Sequence, residues 1–137
     1  MPYEDEDPPY AEPDPELDEW VRKVIGAAIE VHRHFGPGLD EPLYQKALAI
    51  EFGLRGIPFS REVVEPVFYK GEEIGEKRLD FVVAGVLIVE LKAVEELGKL
   101  HKAQVLTYLK LTNLKLGLPV NFNVVLLKEG IRRVIRN

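Results

Sequence analysis

The sequence predicts one α/β (α+β) domain with elements in the order α-α-β-β-β-α-β-β. Apolar residues recur at helical spacing over 17–35, 43–52 and 100–111, and β-branched and aromatic runs lie between and after these segments. Gly or Pro stands at most of the boundaries. The chain has 137 residues, 46% of them hydrophobic, which suffices for one core. We therefore expect a central mixed sheet of about five strands flanked by helices.

The composition excludes several kinds of site. The chain has no Cys, so disulfides, thiolate zinc sites and cysteine nucleophiles are ruled out. P-loop, GxGxxG, HExxH and GxSxG motifs are missing as well. No apolar run approaches the ~20 residues of a membrane span, and the acidic start is the reverse of a signal peptide. The sequence thus predicts a cytoplasmic protein without a membrane partner.

The charge is distributed unevenly along the chain. The net charge is −5, but residues 1–16 hold seven acidic residues and no basic one. The remaining 16 acidic and 18 basic residues give the body a charge of about +2, which is weak support for a polyanionic partner. Residues 1–13 also hold four prolines and no apolar period. We predict a disordered acidic tail there, either solubilising or autoinhibitory over a basic cleft, and a single domain over 14–137.

Both N-terminal helices carry start and stop signals. Asp14-Pro15-Glu16 supplies a cap, a first-turn proline and a first-turn acid, and Gly36-Pro37-Gly38 ends the first helix. Asp40 caps the second helix, and a glycine at 53 or 56 ends it. His32, on the apolar stripe of the first helix, is interpreted as a packing residue rather than a metal ligand. The predicted buried stripe of the second helix is Leu43, Tyr44, Ala47, Leu48 and Phe52.

The middle and end of the chain predict an antiparallel meander, a helix and two short strands. The meander comprises residues 62–69, 74–83 and 87–93, and Pro66 places its first strand at an edge or a bulge. A broadly apolar helix at 100–112 is suited to pack on a sheet. The last strands are expected at 116–122 and 131–135. Because Pro119 is unfavourable within a strand, residues 124–127 are an alternative extension of the sheet.

Asp80 and Glu90 meet in only one register of the hairpin that joins their strands. Side chains alternate faces along a strand, so Glu90 and Lys92 share one face. A three-residue loop at 84–86 puts Val83 opposite Leu87 and Asp80 opposite Glu90, whereas a two-residue turn sends Asp80 to the other face. Three-residue loops favour a glycine in the left-handed conformation, so we predict the longer loop or a bulge of equivalent effect.

Three charged side chains within apolar strands need compensation. One interpretation is a structural ion pair of Lys92 with Glu90 or Asp80, which contributes little to stability. The other is a divalent metal held by Asp80 and Glu90, with Lys92 beside the reacting group. Carboxylate and carbonyl oxygens suit hard cations such as Mg²⁺ or Mn²⁺.

Several motifs, in order along the chain, carry a resemblance. Asp80 followed by Glu90-Leu91-Lys92 resembles the D…(D/E)-x-K signature of the PD-(D/E)XK nuclease superfamily. The segment Gly38-Leu39-Asp40-Glu41-Pro42-Leu43-Tyr44-Gln45 resembles the signature of its GxxExxxR protein family, with Gln45 in place of that family's Arg. Gln104-x-x-x-Tyr108 is similar to the motif that follows the E-x-K strand in RecB-like members. The resemblance covers about residues 17–136 and implies a PD-(D/E)XK nuclease-like fold.

The resemblance also implies a reaction, the metal-assisted hydrolysis of phosphodiester bonds by a one- or two-metal mechanism. DNA is expected as the substrate in preference to RNA, and the protein as a monomer or homodimer. Lys92 would orient the attacking water or stabilise developing charge. The implied catalytic residues are Glu41, Asp80, Glu90 and Lys92. The implied ligands of Mg²⁺ or Mn²⁺ are the carboxylates of Glu41, Asp80 and Glu90 and the carbonyl of Leu91.

Other residues and other interpretations complete the prediction. Gln45, Gln104 and Tyr108 would position the lysine or the nucleic acid, although glutamine removes a fixed cation from position 45. Glu41 is otherwise a first-turn acid that stabilises its helix, and Gln104 and Tyr108 are otherwise a polar helix edge. The alternative function is a catalytically silent module that binds nucleic acid or protein on the same fold.

Overall fold

A computed structural model describes residues 14–137 of the chain. Its elements follow the predicted order, which confirms the predicted fold class. The tail predicted at residues 1–13 lies outside the described residues. A short 3-10 helix also spans Leu127–Gly130. The helices are α1 (Pro15–Phe35), α2 (Glu41–Leu54) and α3 (Lys99–Thr112), and the strands are β1 (Phe59–Tyr69), β2 (Glu72–Val83), β3 (Leu87–Lys92), β4 (Leu116–Asn121) and β5 (Val134–Ile135).

The two N-terminal helices begin and end near the predicted signals. An Asp14 side-chain oxygen accepts a hydrogen bond of 3.0 Å from the Leu17 N–H, and α1 ends before Gly36, whose φ is +65°. Asp40 occupies the N-cap position of α2 without a side-chain cap bond. The predicted buried stripe of α2 is wrong at Leu43, which is 45% exposed. Successive residues lie about 100° apart around a helix, so burial of Tyr44 turns its neighbour toward solvent.

The five strands form one mixed sheet in the order β1-β2-β3-β4-β5. The first three strands are the antiparallel meander that the sequence predicts, β3 and β4 are parallel, and β4 and β5 are antiparallel. Helix α3 makes the crossover that a parallel pair requires. Strand β1 is an edge strand, as Pro66 predicts.

The C-terminal part of the chain departs most from the prediction. Strand β5 contains only Val134 and Ile135, and Ile131 forms an isolated bridge with Val120. The alternative strand at 124–127 is wrong, because that segment has no strand and leads into the 3-10 helix. In α3, Leu100 is 84% exposed, so the apolar character predicted for this helix does not match its buried face. That face consists of Val105, Tyr108 and Leu109.

Two hydrophobic cores lie against the sheet. Helices α1 and α2 pack in the larger core, which contains Phe81 of β2. Helix α3 packs in the smaller core, which contains Leu79 of β2. Residues two positions apart on a strand normally face the same side, but these two contact different cores. The regular alternation of faces along β2 is therefore broken at Asp80, which lies between them. Within residues 14–137, no helix combines the length and apolarity needed to cross a membrane.

Candidate functional site

The hairpin of β2 and β3 has the register that the sequence predicts. Val83 pairs with Leu87 and Phe81 with Val89, and residues 84–86 form the turn. Gly85 has a φ of +71°, the left-handed conformation expected in a three-residue loop. Continuing the register by one residue brings Asp80 beside Glu90. This prediction is confirmed, and it places both carboxylates at the same end of the hairpin.

The backbone ladder is interrupted on both sides of Asp80. Toward β3, the pairing of β2 stops at Phe81 and Val89. Toward β1, the pairs Arg61–Phe81 and Val63–Leu79 flank a skipped position, where Glu62 has a φ of +52°. The register is the same on both sides of the skipped pair, so the ladder is interrupted here without a shift of one strand against the other. The interruption opens a gap between neighbouring strands at Asp80.

Carboxylates take the place of carbonyls in this gap. The Asp80 N–H donates a hydrogen bond of 2.6 Å to Glu90 Oε1, and the Leu91 N–H donates one of 2.8 Å to Asp80 Oδ2. Each acid is therefore fixed by a backbone donor of the opposite strand. Since the N–H and C=O of one residue point to the same side of a strand, the Leu91 carbonyl faces the gap as well.

Helix α2 adds two side chains, one helical turn apart, to the same end of the sheet. Gln45 Nε2 donates a hydrogen bond of 2.7 Å to Asp80 Oδ1. Burial, and after it the charge of Asp80, raises the pKa of Glu41 above 4.5, whereas the charge of Lys92 lowers this pKa. Glu41 therefore lies near both residues. The structure thus brings both predicted α2 residues to Asp80.

Burial and mutual repulsion dominate the electrostatics of the site. Glu90 is only 5% exposed, and burial, reinforced by the charge of Asp80, raises its pKa from 4.5 to about 8. The hydrogen bond from the Asp80 N–H and the charge of Lys92 act in the opposite direction. At neutral pH the Glu90 carboxyl is therefore largely protonated, and a nearby positive charge would favour its ionisation.

Helix α3 places Tyr108 against these acids. Tyr108 is 4% exposed, and its pKa is raised above 10.0 by burial and by the charges of Glu90 and Asp80, while its hydrogen bond to the Gln104 side chain lowers it. Gln104 Oε1 is buried and has no hydrogen-bond partner within the described residues. His101, one turn before Gln104, accepts a hydrogen bond of 3.0 Å from the Gly98 N–H at the start of the helix.

Two residues near the site were missed by the sequence analysis. Arg61 Nε donates a hydrogen bond of 2.8 Å to Gln45 Oε1. The predicted first strand begins one residue too late to include Arg61, and only pairing with β2 brings it near Asp80. Asn121 is 1% exposed, and its side chain bonds both the N–H and the C=O of Val94, at 3.0 and 2.8 Å. It thereby fixes the loop that follows Lys92, which no motif signals.

The predicted metal ligands have suitable chemistry but are not arranged around one point. Within residues 14–137, no group of three or more His, Cys, Asp or Glu side chains is placed to hold a metal ion. Both oxygens of Asp80 accept hydrogen bonds, from Gln45 and from Leu91. The oxygens of Glu41, Asp80 and Glu90 are nevertheless the hard donors that Mg²⁺ and Mn²⁺ prefer.

The mixed five-stranded sheet with three helices is an α+β arrangement consistent with a PD-(D/E)XK nuclease-like fold. The chain belongs to the PD-(D/E)XK nuclease superfamily, whose family model matches residues 18–134. Membership in the narrower GxxExxxR family stays a prediction. Comparisons with curated proteins and with solved structures found no match.

Proposed function

We propose that this protein is a Mg²⁺- or Mn²⁺-dependent nuclease that hydrolyses phosphodiester bonds of DNA or RNA. Membership in the superfamily supports a nuclease-like function. The observation that carries the proposal is the meeting of α2, β2 and β3 at Asp80, which is hydrogen-bonded to Gln45, Glu90 and Leu91. Glu41 and Lys92 lie close enough for their charges to act on the same cluster. Like charges repel, so a purely structural role gives no reason to place several acids together. Here they lie together beside a lysine at one end of the sheet, as ionisable groups do at functional sites.

The acids of this site are suited to a divalent cation. Glu41 and Glu90 both have raised pKa values, partly because Asp80 repels their charged forms. Glu41, Asp80, Glu90 and the Leu91 carbonyl would hold the ion, and a dication beside them would relieve the repulsion. A bound Mg²⁺ or Mn²⁺ lowers the pKa of its water and stabilises charge on the scissile phosphate.

The side chains around the acids have distinct parts in this proposal. Lys92 is a cation beside Glu41 and Glu90, placed to attract the scissile phosphate and to stabilise charge that develops on it. Tyr108 keeps its proton at neutral pH and can donate a hydrogen bond toward the acids. The unpartnered Gln104 Oε1 can accept one from a water. Gln45 positions Asp80, and Asn121 steadies the loop after Lys92.

One observation favours a second candidate, a nucleic-acid-binding module without turnover. Gln45 and Leu91 occupy both oxygens of Asp80, and the described residues contain no preformed three-ligand metal group. A carboxylate already bonded twice has less capacity to bind an ion. In this alternative, the hydrogen bonds of Asp80 are structural and Lys92 contributes to binding alone.

A cleavage assay separates the two candidates. Labelled single- and double-stranded DNA and RNA are incubated with Mg²⁺ or Mn²⁺ and the wild type, Glu90→Ala or Glu95→Ala. Glu95, an exposed acid in the loop after β3, is the matched control. We expect the wild type and Glu95→Ala to cleave at equal rates, and Glu90→Ala to be slower by about a hundredfold or more.

Each other outcome of this assay has a definite meaning. Binding of nucleic acid by the wild type without metal-dependent cleavage would establish the silent module. Equal cleavage by the wild type and Glu90→Ala would show that the activity does not use this site. Neither binding nor cleavage of any of the four substrates would refute both candidates.

A further inference from the structure

Arg61 reaches the candidate site from the edge strand of the sheet. It lies on β1, its side chain is exposed, and it pairs across the strands with Phe81, next to Asp80 in the chain. Its Nε donates a hydrogen bond of 2.8 Å to Gln45 Oε1, and Gln45 Nε2 donates one of 2.7 Å to Asp80 Oδ1. A single amide therefore connects the guanidinium to the acidic cluster.

The direction of this connection is fixed by its two ends. An arginine only donates hydrogen bonds, and a carboxylate only accepts them. The amide of Gln45 satisfies both neighbours in one orientation, with its oxygen toward Arg61 and its nitrogen toward Asp80. Gln45 consequently holds the Arg61 side chain beside the site without neutralising its charge.

The pairing of β1 with β2 is interrupted next to Arg61. Glu62, the next residue, has a φ of +52°, and the pair it would form with Asp80 is skipped, although the register is the same on both sides. A non-glycine residue in this conformation is uncommon and lies outside the geometry of a regular strand. The break in the ladder thus lies directly beside Arg61, the residue of β1 that is hydrogen-bonded to Gln45 of α2.

Arg61 adds a positive charge beside a cluster of acids. Glu41 and Glu90 lie beside Asp80, and a phosphodiester is itself an anion, so the substrate requires cations in addition to Lys92. Arg61 donates through Nε to Gln45, and its two Nη nitrogens form no hydrogen bond or ion pair with the described residues. Two parallel Nη–H donors match a pair of phosphate oxygens, which a lysine cannot do.

We infer that Arg61 binds a backbone phosphate of the nucleic acid next to the bond to be cleaved, with Gln45 as its positioning residue. This inference rests on the proposed function. It extends the site beyond the acids and Lys92 to the edge strand, and assigns to β1 a contact that no sequence motif predicts.

The test measures how the binding of DNA depends on salt. The dissociation constant of a short fluorescein-labelled DNA duplex is measured by fluorescence anisotropy in Ca²⁺ at several salt concentrations, and a gel verifies that the DNA is intact. Loss of one phosphate contact should weaken binding about eightfold at ~0.1 M salt and reduce the slope of log K against log salt by about 0.9. We expect this result for Arg61→Ala, whereas Arg61→Lys should keep most of the slope and lose part of the affinity.

Arg22→Ala is the matched control. Arg22 is an exposed arginine of α1, a helix that contributes no residue to the candidate site, and it pairs with Glu19 at 2.8 Å. Its removal changes the net charge equally and should leave the slope nearly unchanged. Thermal melts of all variants check folding, and because Arg61 is exposed and Arg61→Lys retains its charge, at least one variant stays folded.

A double-mutant cycle tests the positioning role of Gln45. Gln45→Leu should weaken binding in the wild-type background and have no further effect together with Arg61→Ala, because the two side chains act as one unit. Additive effects would overturn the positioning role. If the wild type binds DNA but Arg61→Ala behaves like Arg22→Ala, this inference fails while the proposed function stands. If the wild type neither binds nor cleaves nucleic acid, both fail together.

Discussion

Replacing Glu90 by glutamine should stabilise the protein while abolishing its proposed activity. Burial and the charge of Asp80 raise the pKa of Glu90 from 4.5 to about 8. The folded protein therefore holds a proton that the unfolded chain releases over this pH range. Glutamine is always neutral, has nearly the same shape, and its Oε1 can still accept the hydrogen bond that Asp80 donates.

The sign and size of the effect follow from these two values. Below pH 4.5 the carboxyl is protonated in both states, and its contribution to stability is fully present. Between pH 4.5 and about 8 only the unfolded chain ionises, so this contribution is lost progressively, and above about 8 the folded protein ionises as well and no more is lost. At about 1.4 kcal/mol for each pH unit between the two values, the loss is on the order of 5 kcal/mol. Glu90→Gln does not undergo this loss of stability, because glutamine does not ionise.

Urea unfolding at a series of pH values measures this difference. The wild type and Glu90→Gln should have similar free energies of unfolding near pH 4.5, and the variant should be increasingly more stable up to about pH 8. Glu95→Gln removes an exposed carboxylate nearby and should follow the wild type at every pH. A difference between the wild type and Glu90→Gln that does not vary with pH would show that Glu90 is not held protonated by its surroundings.

Three further outcomes are expected. Millimolar Mn²⁺ should raise the melting temperature of the wild type by several degrees but not that of Asp80→Ala, because an ion bound by the folded state stabilises it; identical responses would count against a metal site. Gly130→Ala should lower the free energy of unfolding by about 1–3 kcal/mol, because the new Cβ would collide with the backbone oxygen of Asn121. In the same urea assay, Gly53→Ala should raise it by about 0.5–1 kcal/mol, since that glycine is helical and faces open space; a shift of the same sign for both would contradict this reasoning.

Local rules account for the parts of the fold that the sequence predicted well. The cap at Asp14, the turn at 84–86 and the edge position of Pro66 each depend on a few neighbouring residues, and the structure has all three. The register of the hairpin then follows from the length of its turn, so the meeting of Asp80 with Glu90 was accessible before any tertiary information.

Contacts between distant segments account for what was missed. Nothing near Arg61 or Asn121 in the chain indicates that they bond Gln45 and Val94, because those partners are brought close by the sheet and by α2. Periodicity likewise shows that a helix has an apolar side but not how wide its buried face is, which is why Leu43 and Leu100 were misplaced. That Glu41, Asp80 and Glu90 form a metal site stays a prediction. Both oxygens of Asp80 accept hydrogen bonds from α2 and β3, and these tertiary contacts could not be read from the sequence.

The agreement between strand order in space and along the chain has a consequence for folding. From β2 onward, each strand pairs with the strand that precedes it in the chain. The strand pairs therefore close short loops, and short loops lose little chain entropy on closing. The widest closure is the crossover over 93–115, which joins β3 to β4 through α3. Residues 41, 80, 90 and 92 all precede this crossover. The charged residues can thus meet as soon as the meander forms on α2, and docking of α3 then brings Tyr108 close to Glu90 and Asp80.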